Sequence, residues 1–199
     1  GQQTWFYGVD QNADFQGQDL KESVNGTEFT VRTHDGAFKI NLPIVGRHNV
    51  SNALAAFSAA RALGLQPEDI QRGLNQLQTI PGRLEPVLSC HGFTVFVDYA
   101  HTPDAIQQVL RSLRPLTTGQ IFTVFGCGGD RDPGKRPEMG RVAATGSDHI
   151  YVTSDNPRSE DPAQIIQDIL PGVSGPYTVE IDRAKAITKA IQDAKEGDI

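Results

Sequence analysis

Ile121-Phe122-Thr123-Val124-Phe125, followed by Gly126-Cys127-Gly128-Gly129-Asp130-Arg131-Asp132 and then a helical pattern over 136–144, is the stretch that decides the fold. A short apolar run that breaks into glycines before an amphipathic segment reads as a buried strand feeding a helix. The same unit recurs on both sides. Phe93 to Val97 precedes Pro103 to Leu113, His149 to Thr153 precedes Pro162 to Leu170, and Tyr177 to Ile181 precedes Arg183 to Ala194. Apolar strands alternating with helices predict an α/β fold built on a mostly parallel sheet with helices on both faces.

Upstream the pattern changes. Phe29, Val31, Phe38, Ile40, Leu42 and Ile44 alternate with polar residues on either side of His34-Asp35-Gly36, which predicts a β-hairpin. Asn49 to Leu63 is Ala-rich with apolar residues at helical spacing and stops at Gly64; a second short helix begins near Pro67-Glu68-Asp69 and is expected to turn Ile70, Leu74 and Leu77 inward. Thr79-Ile80-Pro81-Gly82-Arg83 breaks this run, which places a domain boundary between residues 80 and 81, with domains over 1–80 and 81–199. The two ends, Gly1 to Tyr7 and Glu196 to Ile199, read as a strand region and a turn into a strand, as though cut from something longer.

A formal net charge of −6 gives no electrostatic reason to expect nucleic acid or an anionic membrane as a partner. No apolar run approaches the roughly 20 residues that span a bilayer, and the opening residues lack the pattern of a targeting peptide. Cys90 and Cys127 have neither metal-ligand spacing nor the density of a disulfide scaffold. Reduced thiols in a cytoplasm, with no metal held by this chain, are the expectation.

In a parallel sheet, ligands bind outside the carboxyl ends of the strands. Asp98-Tyr99-Ala100-His101, Gly126 to Asp132, and Thr153-Ser154-Asp155-Asn156-Pro157-Arg158 fall there. Gly126-x-Gly128 starts like a dinucleotide fingerprint but lacks its third glycine, so a tight strand-to-helix turn explains it as well. Asp98 reads either as a ribose contact or as a cap on the helix near Pro103. His101 reads as a proton carrier, a phosphate contact or a packing residue. Arg158, stiffened by Pro157, suits bidentate contact with a carboxylate, a surface salt bridge being the plain alternative. Asn49 and Asn52 lie one turn apart near a helix start; capping accounts for one and a purine edge for the other.

Five motifs in order resemble the Mur ligases of the MurE type: Gly46-Arg47-His48-Asn49-Val50-Ser51-Asn52-Ala53, Pro81-Gly82-Arg83-Leu84-Glu85, Asp98-Tyr99-Ala100-His101-Thr102-Pro103, Gly126 to Asp132, and Asp155-Asn156-Pro157-Arg158. The resemblance covers nearly the whole chain and is weakest over residues 1–26. It implies the end of a central ATPase domain (hairpin plus helices) followed by most of a Rossmann-like C-terminal domain. It also implies an ATP-dependent ligase acting in the cytoplasm as a monomer. There ATP phosphorylates a carboxylate of UDP-MurNAc-L-Ala-D-Glu and the amine of meso-diaminopimelate attacks the acyl phosphate.

By that resemblance Asn49 and Asn52 lie by the adenine, Arg83 contacts the ATP phosphates and serves catalysis, Asp98 binds the ribose, and His101 sits near the nucleotide. Arg131, Asp155, Asn156 and Arg158 would bind diaminopimelate. Mg²⁺ ligands and the phosphate-binding loop are expected outside this chain, as no Gly-x-x-x-x-Gly-Lys-[Ser/Thr] occurs in it. Diaminopimelate differs from lysine by one carboxylate, which a fixed guanidinium rewards. Other Mur ligases and folylpolyglutamate synthase would share the hinge arginine and strand-end aspartate without Asp155-Asn156-Pro157-Arg158. The rival expectations are a non-catalytic α/β module that binds a nucleotide or partner protein and, on Gly126-x-Gly128 alone, a nicotinamide-dependent oxidoreductase.

Overall fold

The computed structural model describes residues 4–10, 12–87 and 91–199. Cys90 and Gly1 to Gln3 therefore lie outside the described residues. The chain divides into two compact units, Gly1–Pro86 and Val87–Ile199.

In the first unit, β1 (Tyr7–Val9), β2 (Phe15–Ser23), β3 (Gly26–Thr33) and β4 (Gly36–Leu42) form one sheet in that order. β3 and β4 are the expected hairpin. They pair antiparallel from Thr27↔Leu42 to Thr33↔Gly36, leaving His34-Asp35 as the turn. Period-two alternation sends Phe29, Val31, Phe38, Ile40 and Leu42 inward, while Glu28, Lys39 and Asn41 face out.

That apolar face is covered by α1 (Arg47–Ala62) through Val50, Ala53, Leu54 and Phe57. The Phe57 ring lies 5.9 Å from that of Phe15 and 5.8 Å from that of Phe38. α2 (Pro67–Asn75) starts on Pro67 as expected and buries Ile70, with Leu74 partly buried. Leu77 departs from expectation. The helix ends at Asn75, whose carboxamide oxygen takes the Asn41 amide at 2.8 Å. Leu77 thus leaves the helical face and is 36% exposed.

β5 (Glu85–Val87) ends the first unit, and its last residue opens the second. The second unit alternates strands and helices: β6 (Val95–Val97), α3 (Pro103–Leu113), β7 (Phe122–Phe125), α4 (Lys135–Gly146), β8 (His149–Val152), α5 (Pro162–Ile169), β9 (Tyr177–Val179) and α6 (Arg183–Asp193). β7, β8 and β9 form the parallel sheet the sequence pattern implied, with Phe122 opposite His149 and Ile150 opposite Tyr177. Tyr151, Phe122 and Val124 share one face, where they pack against Ala186 and Ala190 of α6. The opposite face meets α4, and Thr123 Oγ1 bonds Ser147 Oγ, just past the end of that helix, at 2.6 Å.

β6 is shorter than the run Phe93 to Val97 and lies outside this sheet, in a two-stranded pairing. The chain between them explains the separation. Ile199 donates its amide to the Gln120 carbonyl at 2.9 Å and accepts that of Phe122 at 2.8 Å, while the Asp198 carbonyl accepts the Thr94 amide at 3.0 Å.

Candidate functional site

Three of the four helices that follow strands in the second unit start on a side-chain cap. The Thr102 hydroxyl accepts the Ala105 amide at 3.2 Å, Asp161 that of Ala163 at 2.9 Å, and Asp182 that of Lys185 at 3.2 Å. Thr102, not Asp98, therefore caps α3. Asp98 Oδ1 instead takes the Ala100 amide at 2.8 Å, which folds the turn after β6, and His101 Nδ1 lies 2.9 Å from the Tyr99 carbonyl. Tyr99 and His101 are exposed, their rings 5.3 Å apart.

The loops after β7 and β8 are brought together. The β7 loop needs glycine for close approach rather than for a special backbone angle. A Cβ on Gly126 would stand 2.2 Å from the Thr153 carbonyl oxygen, and one on Gly129 would stand 1.9 Å from that of Pro157. The Gly129 amide donates to the Asn156 carbonyl at 2.8 Å, and Arg158 Nη1 donates to the Gly129 carbonyl. A Cβ on Gly128 would sit 3.0 Å from Arg158 Nη1 and 3.9 Å from Arg131 Cγ, so both arginines border the same glycine. Arg131, Asp155, Asn156 and Arg158 thus share one surface region at the carboxyl ends of β7 and β8, and all four are exposed. Arg183 of α6 approaches it as well, its Nη1 3.3 Å from the Ser154 carbonyl oxygen and 4.0 Å from Asp155 Oδ1.

Beneath these residues lies a polar network that the strand-end motifs do not include. Arg136 of α4, with its side chain 3% exposed, donates through Nη2 to Glu160 Oε1 and through Nη1 to Asp168 Oδ2, both at 2.8 Å. Glu160 Oε1 also accepts the Asp130 amide at 2.6 Å, and the Asp130 carboxylate accepts Ser159 Oγ at 2.6 Å. Arg136 is nearest to Asp168 and Glu160 only in space, its partners lying 32 and 24 residues away along the chain. The sole sequence hint was Gln164 and Asp168 at i, i+4 on one helix face, joined by a 2.9 Å bond.

These contacts set the acid behaviour. The Ser159 hydroxyl lowers the pKa of Asp130, the Arg136 guanidinium and then the Asp130 amide lower that of Glu160, and Gln164 followed by Arg136 lowers that of Asp168. A folded-state pKa below the unfolded one contributes stability that is complete above the unfolded value and is lost as pH falls through the folded one. Urea midpoints for this unit should therefore hold above about pH 5 and fall below about pH 4, less steeply in Arg136→Met than in the parent. Cys127, buried and with its thiol 3.6 Å from Met139 Sδ, is pushed up to about 11 by that burial. In a Cys90→Ser background, the remaining thiol should resist a thiol-specific reagent at pH 8 and react on unfolding; prompt reaction in the folded protein would contradict the burial.

In the first unit, α1 begins at Arg47, two residues before the expected start, with Gly46 at the cap and no side-chain capping bond. Neither asparagine caps the helix. Asn49 is buried and donates Nδ2 to the Val45 carbonyl at 2.7 Å, while its Oδ1 accepts from the exposed Asn52 at 3.3 Å. Arg83 is exposed, flanked by Gly82 (φ +70) and the fully buried Leu84 (φ +43). The Gly82 amide donates to Glu85 Oε2 at 3.0 Å, closing the turn that carries Arg83.

The family model described as the Mur ligase, glutamate ligase domain matches residues 82–199, and that of the Mur ligase middle domain matches residues 1–60. The chain belongs to the Mur ligase family. Among similar Mur ligases, the UDP-N-acetylmuramoyl-L-alanyl-D-glutamate--2,6-diaminopimelate ligase of Synechococcus elongatus is 46% identical over 195 residues, 96% of this chain and 39% of that protein. The protein of the same name from Gloeobacter violaceus is 46% identical over 199 residues, 98% of this chain and 41% of its own length. A solved structure, again of a UDP-N-acetylmuramoyl-L-alanyl-D-glutamate--2,6-diaminopimelate ligase, superposes with a TM-score of 0.66 at 39% identity, covering 98% of this chain and 41% of that one. The chain thus spans about two fifths of the length of these relatives. The second unit has the Mur ligase C-terminal domain fold.

Proposed function

We propose that this chain is part of an ATP-dependent ligase that joins meso-diaminopimelate to the D-glutamate carboxylate of UDP-MurNAc-L-Ala-D-Glu during peptidoglycan precursor synthesis in the cytoplasm. The observation that carries this reading is the pair of arginines bordering Gly128, Arg158 through Nη1 and Arg131 through Cγ, beside Asp155 and Asn156. Diaminopimelate carries at its distal end a carboxylate and an ammonium group. Arginine offers the first a planar fork of donors, and Asp155 with the Asn156 amide offers the second acceptors.

In the reaction, the γ-phosphoryl group passes from ATP to the glutamate carboxylate, giving an acyl phosphate and ADP. The amine of the bound amino acid then attacks the acyl carbon, the amide bond forms, phosphate leaves and the amine gives up a proton. Arg83, exposed on its turn, is assigned to the phosphates, where a fixed cation offsets charge that develops during transfer. Asn49 and Asn52, joined by their side-chain hydrogen bond, are assigned to the adenine, Asp98 to the ribose and His101 to the nucleotide's surroundings. Domain limits of 1–80 and 81–199 and a monomeric state go with this reading.

Among the described residues, no three His, Cys, Asp or Glu side chains gather as metal ligands. Nor, among the described residues, is any helix long and apolar enough to cross a membrane. The test is the full-length ligase supplied with ATP and UDP-MurNAc-L-Ala-D-Glu. Phosphate release should depend on meso-diaminopimelate and be far weaker with L-lysine. Equal use of the two amino acids would remove the assignment of the Arg158 region.

A further inference from the structure

Arg136 is the one charged side chain among the described residues of α4 that the fold buries, and none of the roles above uses it. Burying a guanidinium is costly unless it is paired, and here the burial is only partly compensated, since its Nε has no hydrogen-bond partner. Both carboxylates that hold it belong to the segment that follows the candidate amino-acid loop. Glu160 lies two residues beyond Arg158, and Asp168 is on α5. Glu160 in turn holds the Asp130 amide, and Asp130 holds Ser159 through its hydroxyl. The brace therefore grips both loops, one on each side of Arg131 and Arg158.

The backbone shows what the brace opposes. Asp130 (φ +53) and Arg158 (φ +49) both sit in the left-handed region, which is unfavourable for a residue with a Cβ and persists where the surroundings over-determine it. Each strained residue adjoins a bond of the network: Asp130 through its own amide and carboxylate, Arg158 through its neighbour Ser159 and through Nη1 on the Gly129 carbonyl.

We propose that Arg136, acting through Glu160 and Asp130, is a positioning residue for amino-acid recognition, holding Arg158 in the conformation that presents its guanidinium to the distal carboxylate. This rests on the reading of Arg158 as the carboxylate contact. Arg136 itself touches no substrate. It sits beneath the loops and acts on Arg158.

The experiment uses the full-length ligase with Arg136→Met, Arg136→Lys, Glu160→Gln and Arg158→Ala, and Glu160→Gln combined with Arg158→Ala, measuring KM for meso-diaminopimelate and for ATP. Arg136→Met should raise the diaminopimelate KM about tenfold while the ATP KM moves less than about twofold; Arg136→Lys, which keeps the charge and loses the fork, should fall between. A purely structural loss lowers the active fraction, and so kcat, without this split between the two KM values. Glu160→Gln should raise the same KM about threefold in the parent but add almost nothing once Arg158 is alanine, because its effect passes through that side chain.

Should Arg136→Met fail to accumulate as folded protein, the milder Glu160→Gln pair carries the test. An unchanged diaminopimelate KM in Arg136→Met and Glu160→Gln, with Arg158→Ala still impaired, would overturn the positioning role and leave the carboxylate contact standing. A diaminopimelate KM indifferent to Arg158→Ala removes the contact itself, and the positioning role with it.

Discussion

Arg158→Ala in the full-length ligase is expected to weaken use of meso-diaminopimelate by about 2 kcal/mol, which corresponds to roughly a thirtyfold loss in kcat/KM for that substrate. The figure follows from removing a charged, bidentate donor set from a carboxylate that would lie against the paired loops. ATP binding should hardly change, because the residues assigned to the nucleotide lie on other segments. Steady-state kinetics with each substrate varied in turn gives both numbers. Equal losses for the two substrates would mean that Arg158 supports the fold rather than the amino acid. The bond from Arg158 to the Gly129 carbonyl makes that outcome a real alternative, and the direction of the split decides it.

The second large effect concerns stability. Phe57→Ala should cost the first unit about 3–5 kcal/mol. The ring is fully buried, with the Phe15 and Phe38 rings against it, and the sheet beneath it is held in register by paired strands that leave little room to collapse into the void. Leu63→Ala, at the end of the same helix and 82% exposed, is the matched control and should stay within about 0.5 kcal/mol. Urea denaturation followed by circular dichroism would show it; similar midpoints for the two variants would mean that α1 is not the cover of this core.

What was legible in the sequence was whatever repeats locally. The alternation around His34-Asp35 sets the β3–β4 register, because a one-residue slip would turn Phe29 and Val31 outward. The strand-then-helix rhythm of the second unit likewise needs only periodicity and turn residues. Leu77 misled because helical spacing continues on paper after Asn75 has ended the helix. Residue type offers a cap in one of Asn49 and Asn52 and, as the alternative to a ribose contact, in Asp98, whereas the backbone places Gly46 and Thr102 at those caps. For β6, short range was again the limit: its place depends on Asp198 and Ile199, far along the chain.

The candidate site divides in the same way. Arg131, Asp155, Asn156 and Arg158 announced themselves as strand-end motifs. Arg136 did not, since an arginine near a helix start is ordinarily solvated, and nothing local says that Glu160 and Asp168 will enclose it.

The close approach of Gly126 and Gly129 to the carbonyls of Thr153 and Pro157 bears on how such a protein can change over generations. A side chain at either glycine has nowhere to go until the facing segment has moved, and that segment cannot move while it is anchored to the first. Inheritance should therefore treat the two stretches as a single block: homologues that vary in one ought to vary in the other, and a chimaera that exchanges only one would carry a mismatch neither parent has.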